Sequence, residues 1–405
     1  MKRPYGKKGS YTVFLAFFMS GMVIMSAAVI DAAHLLAIDS SVEDLGKVWA
    51  NSIIGEYDRV LRDRYGFMGY YGNEDLVRKK LIRYSDYTFR SKKYLKVDSL
   101  ECSLSDYKLT DLETFRDQMK MITLSFASPA PFDDDMPEDI PEDEETGEST
   151  SHVRRISSGW IIDSLPSHSY KGAGISGSAA GTAFETLYVF KFFKDHVDER
   201  DLGKTYFNNE IEYIISGKLD DEKARKSVYN KLLAERNALN LVYLYSCSAK
   251  RQAALEAAEI LTPGPEAVLT QALILEVWAL LESRNDIELL YDGQRVPLAK
   301  GDENWALSLE NAVDYFSNDG RELDTGERKK YVSPESIEGQ KYEDYLMTLF
   351  LTVPEKKRLL RIMDLIQINM KYCYCDYFLM DDYYTGVHYD MEVKGKKHEF
   401  EVRYG

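Results

Sequence analysis

The sequence predicts an α+β protein that is mostly helical. An N-terminal transmembrane helix continues into a stem, a small antiparallel sheet includes a C-terminal hairpin, and a helical domain is inserted between the halves. Ser10 to Ile30 runs 21 residues without a charge. Near the other end, Val387, Tyr389, Met391 and Val393 alternate with polar residues, and Phe400, Val402 and Tyr404 alternate again. A period of two marks a half-buried strand. Between these segments, residues 183–380 carry apolar spacings of three and four, the period of helices. The expected organisation is a cytoplasmic tail (1–9), a transmembrane helix (10–33), a helical stem (34–92), a strand–helix region (93–131), an acidic and Gly/Ser-rich linker (132–182), the helical domain (183–380) and the hairpin (381–405).

The anchor comes first. Lys2, Arg3, Lys7 and Lys8 precede the apolar run, and Asp31, Asp39, Glu43 and Asp44 follow it. As a helix, 21 residues cover about 31 Å, the thickness of a bilayer's hydrocarbon core. Base before the span and acid after it place the N-terminus in the cytoplasm and the bulk of the chain outside. Three forms of this segment are open: an uncleaved anchor, a signal peptide cut after the small residues Ser26-Ala27-Ala28, and a prepilin-type leader cut between Gly9 and Ser10. No helix breaker follows the run. Leu35, Ile38, Val42, Leu45 and Trp49 instead recur at steps of three and four, one apolar stripe on a helix that continues to about Gly55. That continuity favours retention in the membrane. The stripe and Asp31 at the outer end of the span are the candidate partner contacts, with lipid, with other membrane subunits, or with a second copy through the stem.

Next, Leu95, Val97, Leu100, Cys102 and Leu104 predict a strand with a bulge where the alternation slips. Thr110-Asp111-Leu112-Glu113 predicts a capping box opening a helix toward Leu124. Asp133 to Glu148 holds ten acids in sixteen residues with Pro137 and Pro141, a self-repelling linker rather than a calcium loop. In the helical domain, Gly217 is expected to cap a helix over Asn209–Gly217. Val228, Leu232, Leu239 and Val242 are expected to share the buried face of Lys223–Ser246. Val268–Leu281 is too short for a second span and reads as a buried helix. Pro354 starts a helix reaching about Tyr372. At the end, Gly395-Lys396-Lys397 turns the hairpin, whose obvious third strand is Tyr94–Leu104.

Composition limits the function. Net charge is −16 over 405 residues, with no basic block beyond the first residues, so nucleic acid is not an expected partner. Four Cys and six His make neither a disulfide scaffold nor a rich metal centre. Gly172-Ala173-Gly174-Ile175-Ser176-Gly177 has dinucleotide spacing but lacks a preceding strand. Cys373-Tyr374-Cys375 with His388 and His398 has the donors for zinc, but the hairpin alternation turns the two imidazoles apart. Glu210 and Glu212 fall on different helix faces and are expected to be solvated or ion-paired. No cofactor, metal or catalytic residue is expected.

Lys7-Lys8-Gly9 followed by Ser10-Tyr11-Thr12-Val13-Phe14-Leu15-Ala16 resembles the start of TadE/TadG-type pseudopilins of tight-adherence (Flp) pilus systems. Many of those carry Glu at the fifth residue after the Gly, where this chain has Phe14. The remainder resembles an uncharacterised family of Gram-positive membrane proteins associated with such pilus loci. That likeness rests on Glu56-Tyr57-Asp58 with Leu61, Arg64, Tyr65 and Gly66, on Asn209 to Lys218, on Arg236 to Leu244, on Val296-Pro297-Leu298, and on Thr385-Gly386-Val387. It implies a non-catalytic, extracytoplasmic assembly subunit working with other pilus-system membrane or pilin-like proteins. The alternative from another class is an anchored extracellular hydrolase acting on cell-wall or other polymers.

Overall fold

The computed structural model describes residues 9–90, 95–127, 165–170, 179–317 and 339–404. The acidic run Asp133–Glu148 and the glycine segment Gly172–Gly177 lie outside them. The chain forms two compact units. A sheet unit comprises residues 1–58, 68–108 and 382–404, and a helical unit comprises residues 59–67 and 109–381.

In the sheet unit, helix α1 (Gly9–Ile54) runs unbroken for 46 residues, about 69 Å at the α-helical rise. Helix α2 (Glu74–Phe89) starts on Asn73, whose side chain accepts from the Leu76 N–H, with Glu74 and Asp75 in its first turn to favour the helix dipole. Strands β1 (Tyr70–Tyr71) and β3 (Tyr383–Tyr384) form a two-stranded pair. Strands β2 (Val97–Ser103), β4 (Gly386–Val393) and β5 (Lys396–Arg403) form an antiparallel sheet in the order β2-β4-β5. The expected third strand therefore joins the hairpin, and its register slips between Val97 and Ser99, where the alternation breaks. Leu100, Val387, Tyr389, Met391, Val393 and Phe400 bury one sheet face against Val42, Trp49 and Ile53 of α1 and Leu81 and Phe89 of α2.

The turn differs from expectation. Val393 pairs with Lys396, so Lys394 and Gly395 alone make the turn, and Lys396 and Lys397 belong to β5. Both turn residues have positive φ, 51° and 75°. Such a two-residue type I′ connection matches the twist of the strands, whereas a longer loop would not hold this register.

The helical unit contains α3 (Leu112–Ala127), α4 (Ala179–Phe192), α5 (Asp221–Ser246), α6 (Ser248–Leu261), α7 (Ala267–Tyr291), α8 (Leu309–Ser317), α9 (Tyr342–Leu351) and α10 (Glu355–Asn369). Short helices at Arg59–Tyr65 and Glu210–Ser216 pack among them. Gly217 closes the second with φ 72° and donates its N–H to the Tyr213 carbonyl, the expected left-handed cap. The cap of α3 is Asp111, not Thr110. Asp111 Oδ2 accepts from the N–H groups of Glu113 and Thr114, while the Thr110 hydroxyl donates to Asp381. A carboxylate one residue nearer the helix reaches those donors first.

Helix α5 buries a different stripe from the expected one. Ala224, Val228, Leu232, Arg236, Asn240 and Leu244 are buried, while Val242 is exposed. Helix α7 extends well beyond Leu281; its first half buries one face, including Ile274, Leu275, Trp278 and Ala279, and leaves Val268, Leu269 and Leu273 exposed, whereas nearly every residue from Leu281 to Leu290 is buried. Helix α10 is covered on nearly every side. Its polar residues are consumed internally: Asp364 accepts from the Tyr213 hydroxyl and the Ser167 N–H, and Gln367 accepts from the Met380 N–H.

Candidate membrane anchor, stem and buried charge clusters

Tyr11–Ile54 is, among the described residues, the one helix long and apolar enough to cross a membrane, with mean hydropathy 2.4 in its most apolar window. Every residue from Tyr11 to Ala37 is exposed, and burial begins at Ile38. Gly9 and Ser10 open the helix, and Asp31 lies exposed one residue past the uncharged run.

The apolar stripe of the stem is occupied within its own unit. Ile38, Val42 and Trp49 are buried and Leu45 is half-buried. Leu35 lies outside this contact and is 56% exposed, because the sheet begins against α1 only at Asp39. There the Lys396 ammonium bonds Asp39 Oδ2, and His398 Nε2 stands 3.4 Å from Asp39 Oδ1. The Lys396 hydrogen bond holds the Asp39 carboxyl below the usual range. Farther along, Phe400 packs on Gly46, the Tyr389 hydroxyl donates to the Gly46 carbonyl at 2.7 Å, and the Tyr404 hydroxyl donates to the Ile54 carbonyl at 2.5 Å. Strand β5 therefore lies along α1 and runs in the same direction. Trp49 and Phe89 meet edge to face at 5.5 Å and fasten α2 to the same helix.

Asp39, Glu43 and His398 bring three possible metal donors within 4.8 Å of one another, as do His388, Asp390 and Glu399. In the first set Asp39 is already neutralised by Lys396. In the second, His388 bonds Glu399 at 2.9 Å on the open sheet face. The imidazoles thus lie on opposite faces of the hairpin, as the alternation predicts. Cys373 and Cys375 are half-buried thiols, and burial pushes the Cys373 thiol up.

Inside the helical unit lies a charge cluster that periodicity did not find. Arg236 is completely buried. Its guanidinium donates to Asp286 Oδ2 at 3.0 and 2.8 Å, to the carbonyls of Pro297 and Leu298 at 3.0 Å each, and to the Tyr345 hydroxyl at 3.1 Å. The Lys300 ammonium lies 2.5 Å from Asp286 Oδ1 and also bonds Glu282. Glu282 further accepts from the N–H groups of Ala306 and Leu307. Two cations and two carboxylates balance, and each is tied to backbone or to a neighbour, the condition under which buried charge is tolerated. Two stretches that carry the family resemblance, Arg236–Leu244 and Val296–Leu298, meet here. The chemistry is that of a brace for the 296–307 segment.

Glu210 and Glu212 are buried rather than solvated. Glu210 accepts from the Lys194 N–H and the Asn369 amide, and Glu212 from the His196 N–H and the Tyr342 hydroxyl. They point different ways, as helical spacing requires, but each meets a packed neighbour. Burial pushes both carboxyls up to about 7, against the opposing pull of those hydrogen bonds. An unfolded Glu titrates near ~4.3. Between these values the folded carboxyl keeps a proton that the unfolded chain releases. Their contribution is therefore complete below about pH 4.3 and fades as pH rises through 7. Asp195, raised by burial to about 6, acts in the same direction. The midpoint of thermal unfolding of the helical unit is expected to fall between pH 4.5 and 7.5 (roughly the window between the two pKa values). Glu210→Gln with Glu212→Gln should flatten that slope. A midpoint that climbs over the interval in circular-dichroism melts would contradict it.

No curated protein and no solved structure matches the chain. A model of a family of unknown function (DUF5702) matches residues 137–395, which takes in the charge cluster, the buried Glu pair and all of β4. That match covers well over half of the sequence, and the chain belongs to this family.

Proposed function

We propose that the protein is a non-catalytic structural or assembly subunit, anchored by residues 10–33 with its N-terminus in the cytoplasm and its bulk outside, in a tight-adherence-pilus-like or secretion apparatus. The observation that carries this reading is the uninterrupted α1, apolar and uncovered to Ala37 and built into the sheet unit from Ile38 onward. A helix with no break between bilayer and folded unit transmits position and force without a flexible joint. The basic residues before the run and the acids after it support the orientation. The start at Lys7-Lys8-Gly9 and the likeness across the remainder support the pilus setting. The paired carboxylates Glu210 and Glu212, which acid–base chemistry would draw on, accept from the N–H groups of Lys194 and His196.

Because the rest of the sheet unit already packs against Ile38, Val42 and Trp49, self-association falls to the uncovered part of α1, which includes Asp31 and Leu35, and not to the remainder of the stem stripe. Partners are then other membrane or pilin-like subunits that meet this segment within lipid.

Cross-linking in cells that express the tagged full chain, followed by detergent extraction, should recover pilus-system membrane or pilin-like proteins. Recovery of none of them overturns the assignment. Mass spectrometry of the mature N-terminus separates intact, Ser10-started and Val29-started chains. The Val29 form would remove the anchor.

A further inference from the structure

We propose that Asp39, Glu43 and His398 bind a divalent transition-metal ion of the zinc class, which clasps strand β5 to the stem helix α1. The three residues belong to the sheet unit, and one donor atom of each lies within 4.8 Å of the other two. Asp39 and Glu43 stand one turn apart on α1, and side chains four residues apart share a helix face. His398 comes from the inward face of β5, two residues before Phe400. The packing of Phe400 on Gly46 therefore fixes the height of His398 against the helix.

The imidazole is the first observation. Only 5% of the His398 side chain is exposed, and neither ring nitrogen has a hydrogen-bond partner among the described residues. Burying a polar group in that state is costly. Its Nε2 stands 3.4 Å from Asp39 Oδ1, an oxygen that is itself buried without a hydrogen-bond partner. A hydrogen bond between the two would bring them to about 2.7–3.2 Å. Two ligands of one tetrahedral zinc ion, each bonded at about 2.0–2.2 Å, stand about 3.3–3.5 Å apart. The observed separation matches that edge.

The second observation is how the carboxylates are shared. The Lys396 ammonium takes Oδ2 of Asp39 and leaves Oδ1 to the ion. A ligating carboxylate is commonly steadied in this way through its other oxygen. Glu43 is exposed and has no ion pair or hydrogen bond among the described residues. It supplies the third ligand and a second negative charge, and water fills the fourth position. An imidazole nitrogen in the set selects zinc-like ions over calcium and magnesium, which take oxygen ligands. The clasp stands whether or not residues 10–33 cross a bilayer.

The test uses the full chain in detergent, without a histidine tag and stripped by a chelator. Zinc should bind at one ion per chain, and at about 100 times its Kd it should raise the midpoint of thermal unfolding by several degrees. Magnesium and calcium at the same concentration should not. Cobalt(II) in place of zinc should give the visible absorption of a four-coordinate site, and His398→Gln should abolish it. Glu43→Gln, a surface change that keeps the test open if His398→Gln does not fold, should weaken zinc at least about tenfold, the smaller loss typical of removing even an outer-shell partner. His388→Gln, which breaks the donor set on the open sheet face, should leave the affinity unchanged. Absence of saturable zinc binding, equal stabilisation by magnesium, or binding that survives Glu43→Gln and is lost in His388→Gln overturns the clasp.

Discussion

Arg236→Met is expected to destabilise the helical unit by about 3–5 kcal/mol, the usual cost of removing one partner from a buried ion pair. Met is close to Arg in length, so the lost volume is small and the effect is chiefly electrostatic. Asp286 loses two hydrogen bonds, and the carbonyls of Pro297 and Leu298 lose their donor. Lys300 remains, but it must then neutralise both Asp286 and Glu282. Arg236→Lys is expected to recover little, because one ammonium cannot reproduce a fork that reaches a carboxylate, two carbonyls and a hydroxyl together. Guanidinium unfolding of the detergent-solubilised chain can be followed by the fluorescence of Trp278 and Trp305, which meet edge to face at 5.7 Å beside this cluster. A loss below about 1 kcal/mol for the Met variant would show that the cluster contributes no more than a surface pair.

Gly46→Leu is expected to detach the hairpin from the stem, costing about 3 kcal/mol or more. Even a Cβ on Gly46 would fall inside the van der Waals envelope of the Phe400 ring. That ring is stacked on Tyr389 at 4.9 Å and has little room to retreat. Replacing Gly within a helix should by itself gain up to about 1 kcal/mol. The sign of the result therefore decides whether packing or propensity governs the position. Pairing Gly46→Leu with Phe400→Ala should restore part of the loss, because the new side chain enters the space the ring leaves. If Gly46→Leu melts at or above the parent midpoint, β5 does not bear on α1 as described.

The features legible in the sequence are those with local causes. The hairpin was visible because Val387, Tyr389, Met391 and Val393 alternate over one buried face. Gly217 was visible because a left-handed cap selects glycine. The uncharged run from Ser10 needs only its own length. What escaped was set by distant partners. Arg236 and Asn240 continue the Val228–Leu232 stripe, yet their polarity pointed outward, and the phase slid to Leu239 and Val242. Their acceptor, Asp286, is 50 residues from Arg236, beyond any periodicity. Glu210 and Glu212 escaped for the same reason, since the N–H groups they satisfy lie 16 residues back. Leu35 fits the apolar spacing as well as Ile38, but the sheet that would cover it stops short of its turn.

The bond between Tyr389 and Gly46 joins positions 343 apart, and this sets an order on manufacture. A ribosome adding about 5–20 residues per second would need on the order of half a minute between making one and making the other. Throughout that interval Val42 and Trp49 have no sheet to rest on. The element nearest the N-terminus is thus among the last to reach its finished form, and a chain halted before Phe400 would display a bare greasy rod to whatever chaperone or protease waits nearby.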